Sequence, residues 1–287
     1  MIPFSFKSAL SISIPEIAAL FTRGFEGYFV PVQMTDVGLQ TMIRRDGVDL
    51  AESRILFKDD QPIGVALIAR RGWTSRLAAM GIVTEARNGG VGTWAMKQLI
   101  EEARARAEKE MLLEVIEQNT AGVKLYRKVG FETVRRLVGY KLENPPSVPG
   151  GVPAAEDGGR SSFKIEEVDI RDLAKLVSAH GLKDLPWQLS GETIAQHTPP
   201  SRAYRMDNAY CLISNPEAEQ VVISSVLVKA GSRGAGLSPV LMRAVFSRFP
   251  NKTWRVPAIF PEEMSPIFEE VGMKREELSQ LQMALTL

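Results

Sequence analysis

The chain has 287 residues, of which 45% are hydrophobic and 24% charged, and its formal net charge is +1. This length allows two domains, and the near-zero charge argues against nucleic acid or a membrane as the main partner. One cysteine and two histidines are too few for an internal disulfide or a structural zinc site, and no apolar run could span a bilayer. The composition therefore predicts a cytoplasmic protein without a metal.

The first half of the chain alternates between helix and strand signals. Ser13 and Glu16 form a capping-box pattern at the start of the first predicted helix. Two paired strands followed by strand–helix–strand–helix–strand predict a mixed α/β sheet. The predicted elements are helix 14–25, helix 35–45, hairpin strands 54–58 and 62–69, strand 77–83, helix 91–108, strand 112–116, helix 121–128 and strand 134–142.

The clearest break in composition is residues 144–162, which contain four prolines and four glycines. Such a stretch is typical of a surface linker, because it has almost nothing that can pack. It predicts one domain at 1–143 and another at 163–287. The alternative is a long loop inside a single domain, although structureless loops of this length are uncommon in compact domains.

The sharpest local motif runs from Val83 to Thr93, where a predicted strand enters a glycine-rich turn that opens a helix. Unobstructed backbone N–H groups and the positive end of a helix dipole together form an anion cradle. The motif is not a Walker loop, because Gly92 is followed by Thr93 and Trp94, and it is not a Gly-x-Gly-x-x-Gly dinucleotide fingerprint. From spacing alone, glycines that only let the loop turn tightly remain an alternative.

A second motif follows the next predicted strand. It consists of Asn119 and of residues 125–131, which read Leu-Tyr-Arg-Lys-Val-Gly-Phe. Together with Arg87, Gly90 and Gly92, this motif resembles the two signatures of the GNAT superfamily of acyl-CoA-dependent N-acyltransferases. The resemblance implies a mostly antiparallel sheet that contains a splayed pair of parallel strands and is flanked by helices.

The resemblance also implies roles for individual residues. The pyrophosphate of coenzyme A would bind the loop amides, and its pantetheine arm would pair with the strand before the loop. Tyr126 would protonate the departing thiolate as the general acid, with a buried structural tyrosine as the alternative. The implied cofactor-binding residues are Met80, Gly81, Ile82, Val83, Arg87, Asn88, Gly89, Gly90, Val91, Gly92, Thr93 and Asn119.

The pattern leaves the general base open. The strand before the loop carries no acid, so Glu114 and Glu117 on the next predicted strand are candidates. The plainer interpretation makes both of them solvated edge glutamates, and a water relay to a backbone carbonyl is a further alternative. Ala78, Ala79 and Gly81 are small enough to leave room for an acceptor.

The second half of the chain repeats the pattern in a degenerate form. Phe268 replaces the candidate acid, and Pro261 replaces the candidate asparagine. We therefore predict a second GNAT-like domain with a structural or acceptor-shaping role, in which CoA binding stays open. The repeated segments are strand 221–229, loop 233–238, helix 239–249 and residues 267–273, the last of which match 125–131.

Taken together, these patterns predict a tandem GNAT-like N-acetyltransferase. Its first domain would move an acetyl group from acetyl-CoA directly to a primary amine on a small molecule or a peptide. Phe25, Tyr28 and Phe29 are candidates for lining the acceptor site, with core packing as the alternative. The alternative function is a non-catalytic acyl-CoA sensor or partner-binding protein. The sequence does not indicate the acceptor or the oligomeric state.

Overall fold

The structure, a computed structural model, describes residues 4–143, 145 and 165–287. The chain divides into two compact units. The first consists of Met1–Arg135 and Gln280–Leu287, and the second of Arg136–Ser279. The predicted linker, 144–162, lies outside the described residues except for Pro145.

The helices and strands follow the predicted order, with additional elements at the start of each half. Up to residue 143 they are β1 Phe4–Ser8, α1 Ile14–Gly24, α2 Asp36–Asp46, β2 Arg54–Lys58, β3 Gln61–Arg71, β4 Thr74–Ile82, α3 Val91–Ala105, β5 Glu110–Ile116, α4 Thr120–Lys128 and β6 Glu132–Glu143. From residue 165 they are β7 Glu166–Val168, α5 Ile170–His180, α6 Gly191–Ile194, β8 Arg202–Met206, β9 Ala209–Ile213, β10 Gln220–Val228, α7 Leu237–Arg248, β11 Thr253–Pro261, α8 Ser265–Glu269 and β12 Lys274–Thr286.

Local signals account for most elements of the first unit. Asp59 and Asp60 have positive φ angles of 47° and 61°, and they join β2 to β3 in the predicted antiparallel hairpin. The sequence pattern does not predict β1, which pairs with β2. The predicted apolar face of α3 is buried at Val91, Ala95, Leu99 and Ala103.

In the first unit the strands lie in the order β1-β2-β3-β4-β5, followed by residues Gln280–Thr286 of β12. Neighbouring strands are antiparallel except β4 and β5, which are parallel. Helix α1 packs on β3 and β4, and α3 packs against α4. The first unit is therefore a mixed sheet with one parallel pair near its middle, as predicted.

The second unit has the strand order β6-β11-β10-β9-β8-β7. Its neighbouring strands are also antiparallel with one exception, the parallel pair β10 and β11. Helix α7 packs on β8, β9 and β10 around a core that includes Tyr204, Phe246 and Trp254. Each unit thus contains one parallel pair in an otherwise antiparallel sheet.

The two units differ from the predicted division at 1–143 and 163–287. β6 pairs with β11 and belongs mainly to the second unit, whereas Gln280–Thr286 pair with β5 and belong to the first. Each half of the chain therefore contributes its last strand to the unit formed by the other half. The order of the elements along the sequence does not predict this exchange, because consecutive strands are often, but not always, neighbours in a sheet.

Cys211 is the one cysteine of the chain and is fully buried on β9, and this burial raises the pKa of its thiol to about 12. The thiolate is the reactive form, so we expect iodoacetamide to label it at about pH 8 roughly a thousandfold more slowly than a free cysteine. A mass-spectrometric time course measures the rate, with the urea-unfolded chain as the control. Equal rates in the folded and unfolded chains would contradict this prediction.

Candidate functional site

β4 and β5 are paired only over their first residues. The parallel pairing joins Thr74–Leu77 to Glu110–Leu113 and ends there, while β4 stays paired with β3 as far as Ile82. The end of β4 therefore has one unpaired edge, where backbone N–H and C=O groups can bind an extended chain. The predicted cofactor-binding residues Met80, Gly81 and Ile82 lie on this stretch, and Val83 follows it.

The end of α1 packs closely against β4. A Cβ atom added at Gly81 would lie 2.9 Å from the Phe25 ring, and one added at Gly24 would lie 2.8 Å from the carbonyl carbon of Gly81. Phe25 also stacks on Phe21 with a centroid distance of 4.7 Å. The small residue at position 81 thus makes room for Phe25, and the expectation that it leaves room for an acceptor is wrong for this side of the strand.

The loop after β4 presents a continuous run of backbone donors. Asn88 and Gly90 have positive φ angles of 63° and 82°, and a Cβ atom at Gly90 would meet nothing within 4 Å. Helix α3 begins directly after this turn and has 15 residues. An open space at the N-terminus of a long helix suits an anion. No backbone N–H group donates a hydrogen bond to a described residue at Asn88, Gly89, Gly90, Val91, Gly92 or Thr93.

Arg87 holds this loop in place. Its Nε donates to the carbonyl oxygen of Ile82 at 2.8 Å, and its Nη2 donates to those of Gly24 and Glu26 at 3.0 and 2.9 Å. Its own backbone N–H donates to Thr84. Arg87 therefore positions the loop through its side chain, and the donors that face the open space begin at the next residue.

The two later glycines of the motif have different tasks. A Cβ atom at Gly92 would lie 3.2 Å from Leu125 of α4 and 3.6 Å from the Ile82 side chain, so this glycine lets α3 approach both elements. Gly90 supplies the left-handed turn and the open space. The motif therefore encodes helix packing at one position and access for an anion at the other.

Asn119 lies at the start of α4 and joins it to the segment after α1. Its Oδ1 accepts a hydrogen bond from Gly122 N at 3.0 Å, which caps the helix, and its side chain also hydrogen-bonds the Tyr28 hydroxyl. A Cβ atom at residue 122 would lie 2.7 Å from Asn119 Nδ2, so this contact requires glycine there. The sequence pattern predicts Asn119 as a site residue. It indicates Tyr28 only as one of the aromatic candidates for the acceptor site and does not predict its contact with Asn119.

Tyr126 lies on the buried face of α4 and packs against Phe131 with a centroid distance of 6.0 Å. Burial raises the pKa of its phenol well above the ordinary 10.0, and the nearby Tyr28 raises it further. Its hydroxyl makes no hydrogen bond to a described residue. Tyr126 thus keeps its proton at neutral pH and has that proton available for a ligand.

Comparison with known families identifies this arrangement. Residues 16–131 match the model of the acetyltransferase (GNAT) family. This match covers less than half of the chain, and we refer to the matched residues 16–131 as the GNAT-family domain. Among curated proteins, no match is found.

Solved structures extend the likeness of the GNAT-family domain to the whole chain. A GCN5-related N-acetyltransferase from Sphaerobacter thermophilus is similar with a TM-score of 0.71 and 16% identity, over 99% of this chain and 95% of that chain. A putative acetyltransferase from Pyrococcus horikoshii is similar with a TM-score of 0.66 and 14% identity, over 100% of this chain and 90% of that chain. A tandem GNAT protein from the clavulanic acid biosynthesis pathway is similar with a TM-score of 0.66 and 15% identity, over 99% of this chain and 98% of that chain. These likenesses confirm the predicted tandem GNAT-like fold.

The match to the GNAT family supports an acyl-transfer function. In residues 4–143, 145 and 165–287 we find no group of three or more His, Cys, Asp or Glu side chains that could hold a metal ion. Within the same ranges, no helix is both long and apolar enough to cross a membrane.

One candidate base of the GNAT-family domain is occupied by an ion pair. Glu114 Oε2 accepts hydrogen bonds from Arg76 Nε and Nη2 at 2.7 and 2.6 Å, and the two side chains are only 3% and 5% exposed. The interpretation of Glu114 as a solvated edge glutamate is therefore wrong. Removing one partner of a buried pair leaves an uncompensated charge, so this pair has a structural role where β4 and β5 stop pairing. Glu117 is half-buried.

Proposed function

We propose that the GNAT-family domain transfers an acetyl group from acetyl-CoA to a primary amine. The observation that carries the proposal is the presence of three features in one unit: the end of β4 beyond its pairing with β5, and the loop amides 88–93 and the Tyr126 hydroxyl, neither of which has a partner among the described residues. A long anionic thioester needs an extended backbone edge, an anion cradle and a proton donor. These residues provide all three.

The residues fit the cofactor in chemical terms. The amides of Asn88–Thr93 would hold the pyrophosphate, because they have no partner among the residues that the structure describes and the Gly90 position leaves open space. The end of β4, from Met80 to Val83, would hold the pantetheine arm, with the Ile82 carbonyl oxygen already bound by Arg87 and the Val83 N–H already donating to Ile63. Asn119 would lie beside that arm, and its hydrogen bond to Tyr28 fixes its orientation.

The proposed mechanism is direct transfer. Acetyl-CoA supplies a thioester carbonyl that an amine attacks and a thiolate that leaves. Backbone N–H groups at the unpaired edge of β4 orient and polarise that carbonyl. Tyr126 Oη donates its proton to the leaving sulfur, the proton lost by the amine passes to water, and water returns a proton to the Tyr126 oxygen before the next turnover.

We expect the rate to rise with pH and not to decline up to about pH 10. It rises because a larger fraction of the amine is unprotonated, and no decline follows because burial raises the pKa of Tyr126 above its ordinary 10.0. A profile of kcat/KM between about pH 6 and pH 10 measures this dependence. A decline that begins below about pH 9 and is absent in Tyr126→Phe would contradict the assigned protonation state.

The Gly90→Leu variant tests the cofactor site. A leucine side chain there would occupy the open space in front of the loop amides, and losing one hydrogen bond to a charged group costs about 1.5–3 kcal/mol. Calorimetric titration with CoA should show a Kd raised about ten- to hundredfold.

Gly72→Leu is the matched control for Gly90→Leu. Gly72 also has a positive φ, 54°, and open space around it, but it lies at the opposite end of β4, before Thr74. The control therefore carries similar backbone strain without touching the loop. Unchanged CoA affinity in Gly90→Leu, or an equal loss in Gly72→Leu, would contradict the assignment.

A non-catalytic acyl-CoA sensor is the second candidate function. It is favoured by the Arg76–Glu114 ion pair, which occupies a carboxylate that would otherwise serve as a base. Turnover of acetyl-CoA with a panel of small primary amines and peptides separates the two functions. Amine-dependent conversion of acetyl-CoA to free CoA supports the transferase function. Tight binding of acetyl-CoA without conversion in the presence of any of the amines supports the sensor function.

A further inference from the structure

The loop that opens α3 contains an asparagine followed by a glycine, at positions 88 and 89. Asparagine is a thermolabile residue, because the backbone nitrogen of the next residue can attack its side-chain amide. A glycine at the next position leaves that nitrogen unobstructed and its backbone free to rotate. In the sequence no other asparagine precedes a glycine, since Thr, Pro, Ala, Pro and Lys follow Asn119, Asn144, Asn208, Asn215 and Asn251.

Both reacting groups are accessible in the structure. Asn88 and Gly89 are exposed, and the Asn88 side chain makes no hydrogen bond to a described residue. The backbone N–H of Gly89 likewise donates to no described residue. The attack on the side-chain amide therefore breaks no hydrogen bond among the residues that the structure describes.

The start of α3 favours the reaction without being disturbed by it. The first backbone hydrogen bond of the helix runs from Trp94 N to Gly90 O at 3.0 Å, so rotation at Asn88 and Gly89 leaves the helix intact. The attacking nitrogen must lose its proton, and the positive end of a helix dipole stabilises a negative charge there. The position of this Asn–Gly pair thus adds an electrostatic reason for reaction to the steric one.

We propose that Asn88 is a deamidation site whose reaction inactivates the cofactor loop. Gly89 N gives its proton to water and attacks Asn88 Cγ. The new N–Cγ bond closes a cyclic imide, the Cγ–Nδ2 bond breaks, and Nδ2 takes a proton from water and leaves as ammonia. A water molecule then adds to either carbonyl carbon of the imide and opens the ring, which leaves aspartate or isoaspartate at position 88. The net reaction consumes one water and releases one ammonia.

The effect on the cofactor rests on the proposed function, whereas the deamidation itself does not. The product carries a carboxylate at the start of α3, where the helix dipole attracts it. That carboxylate competes with the pyrophosphate of CoA for the loop amides and repels it. Conversely, bound pyrophosphate would accept a hydrogen bond from Gly89 N–H and keep this nitrogen from attacking. An occupied loop is therefore protected, and an empty loop deamidates.

The first test follows deamidation of the full chain by mass-spectrometric peptide mapping, with and without CoA. Asn251 is the internal control, because it is also exposed and has a φ of 58°, close to the 63° of Asn88, but precedes a lysine. We expect conversion to be at least about tenfold faster at Asn88 than at Asn251. CoA at about ten times its Kd leaves about a tenth of the loops empty and should slow conversion at Asn88 about tenfold.

Gly89→Ala tests the role of the glycine. Gly89 does not have a left-handed φ, and an added Cβ atom would lie 3.7 Å from its nearest contact, the carbonyl oxygen of Ala86, so alanine fits there. The added methyl group hinders the attack, and conversion at Asn88 should slow at least about tenfold. Conversion at Asn88 no faster than at Asn251, or undiminished in a Gly89→Ala variant with unchanged circular dichroism, would overturn the modification site.

Asn88→Asp reproduces the aspartate product, and calorimetric titration should show a Kd for CoA raised about tenfold by the added charge. Asn251→Asp is the matched control, because it adds the same charge at a similar backbone conformation in the second unit. Unchanged affinity in Asn88→Asp, or an equal loss in Asn251→Asp, would refute the inactivation. Gly90→Leu distinguishes that outcome from failure of the proposed function, because it tests the CoA site while Asn88 is unchanged.

Discussion

A chain shortened to residues 1–143 will not form a stable first unit. It lacks Gln280–Leu287, whose strand covers the edge of β5. Leu281, Met283 and Leu285 are buried there, and burying each such side chain contributes about 1.5–3 kcal/mol. Their loss approaches the entire stability of a typical domain, about 5–15 kcal/mol.

Urea unfolding followed by circular dichroism measures this effect. We expect no cooperative transition for 1–143, and recovery of one when a flexible Gly–Ser linker and residues 280–287 are appended to the same fragment. In the full chain, Met283→Ala should lower the free energy of unfolding by about 2–5 kcal/mol, because its side chain is fully buried. A fragment 1–143 that unfolds cooperatively at the midpoint of the full chain would contradict the role of this strand.

Tyr126→Phe should lower kcat about a hundred- to ten-thousandfold while leaving KM for acetyl-CoA nearly unchanged. This range is the usual contribution of a general acid, and the lost hydroxyl acts only on the leaving sulfur in the proposed mechanism. The variant should keep its fold, because the Tyr126 hydroxyl has no partner among the described residues and the ring retains its packing.

Tyr28→Phe is the matched control for this substitution. It removes a neighbouring phenol that hydrogen-bonds Asn119. Its effect should appear mainly in KM, since Asn119 would lose an orienting contact while the proton donor remains. Release of the CoA thiol, followed by a colorimetric thiol reagent, measures both variants. An unchanged rate in Tyr126→Phe would remove Tyr126 from the mechanism, and a larger kcat loss in Tyr28→Phe would transfer the acid role to Tyr28.

Much of the candidate site in the first unit could be predicted because it is encoded by contiguous residues. The turn at Gly90 needs a positive φ, and the cap at Asn119 needs a glycine three residues later, so both leave a local pattern. The strand–loop–helix order places these residues together without knowledge of distant contacts. The mixed sheet follows from the same order, whereas the splayed parallel pair is what the resemblance to the GNAT superfamily implies.

The remaining features depend on contacts between residues far apart in sequence. Arg76 and Glu114 form a buried ion pair across 38 positions, and neither stands in a motif. Tyr28 reaches Asn119 from a segment without a regular pattern. The pairing of β12 with β5 is another such contact. Alternating hydrophobic residues indicate which face of a strand is buried, but they do not indicate which strand pairs with it.

The first unit combines two segments that are far apart in the sequence, and this constrains when it can finish folding during synthesis. β5 is translated before the whole second unit, whereas the strand that covers its edge is translated after it. A nascent chain therefore carries an unpaired strand edge throughout translation of the second unit, and such edges invite pairing with other chains. Completion of the first unit is thus a late step, and we expect slow translation of residues 136–279 to favour aggregation over folding.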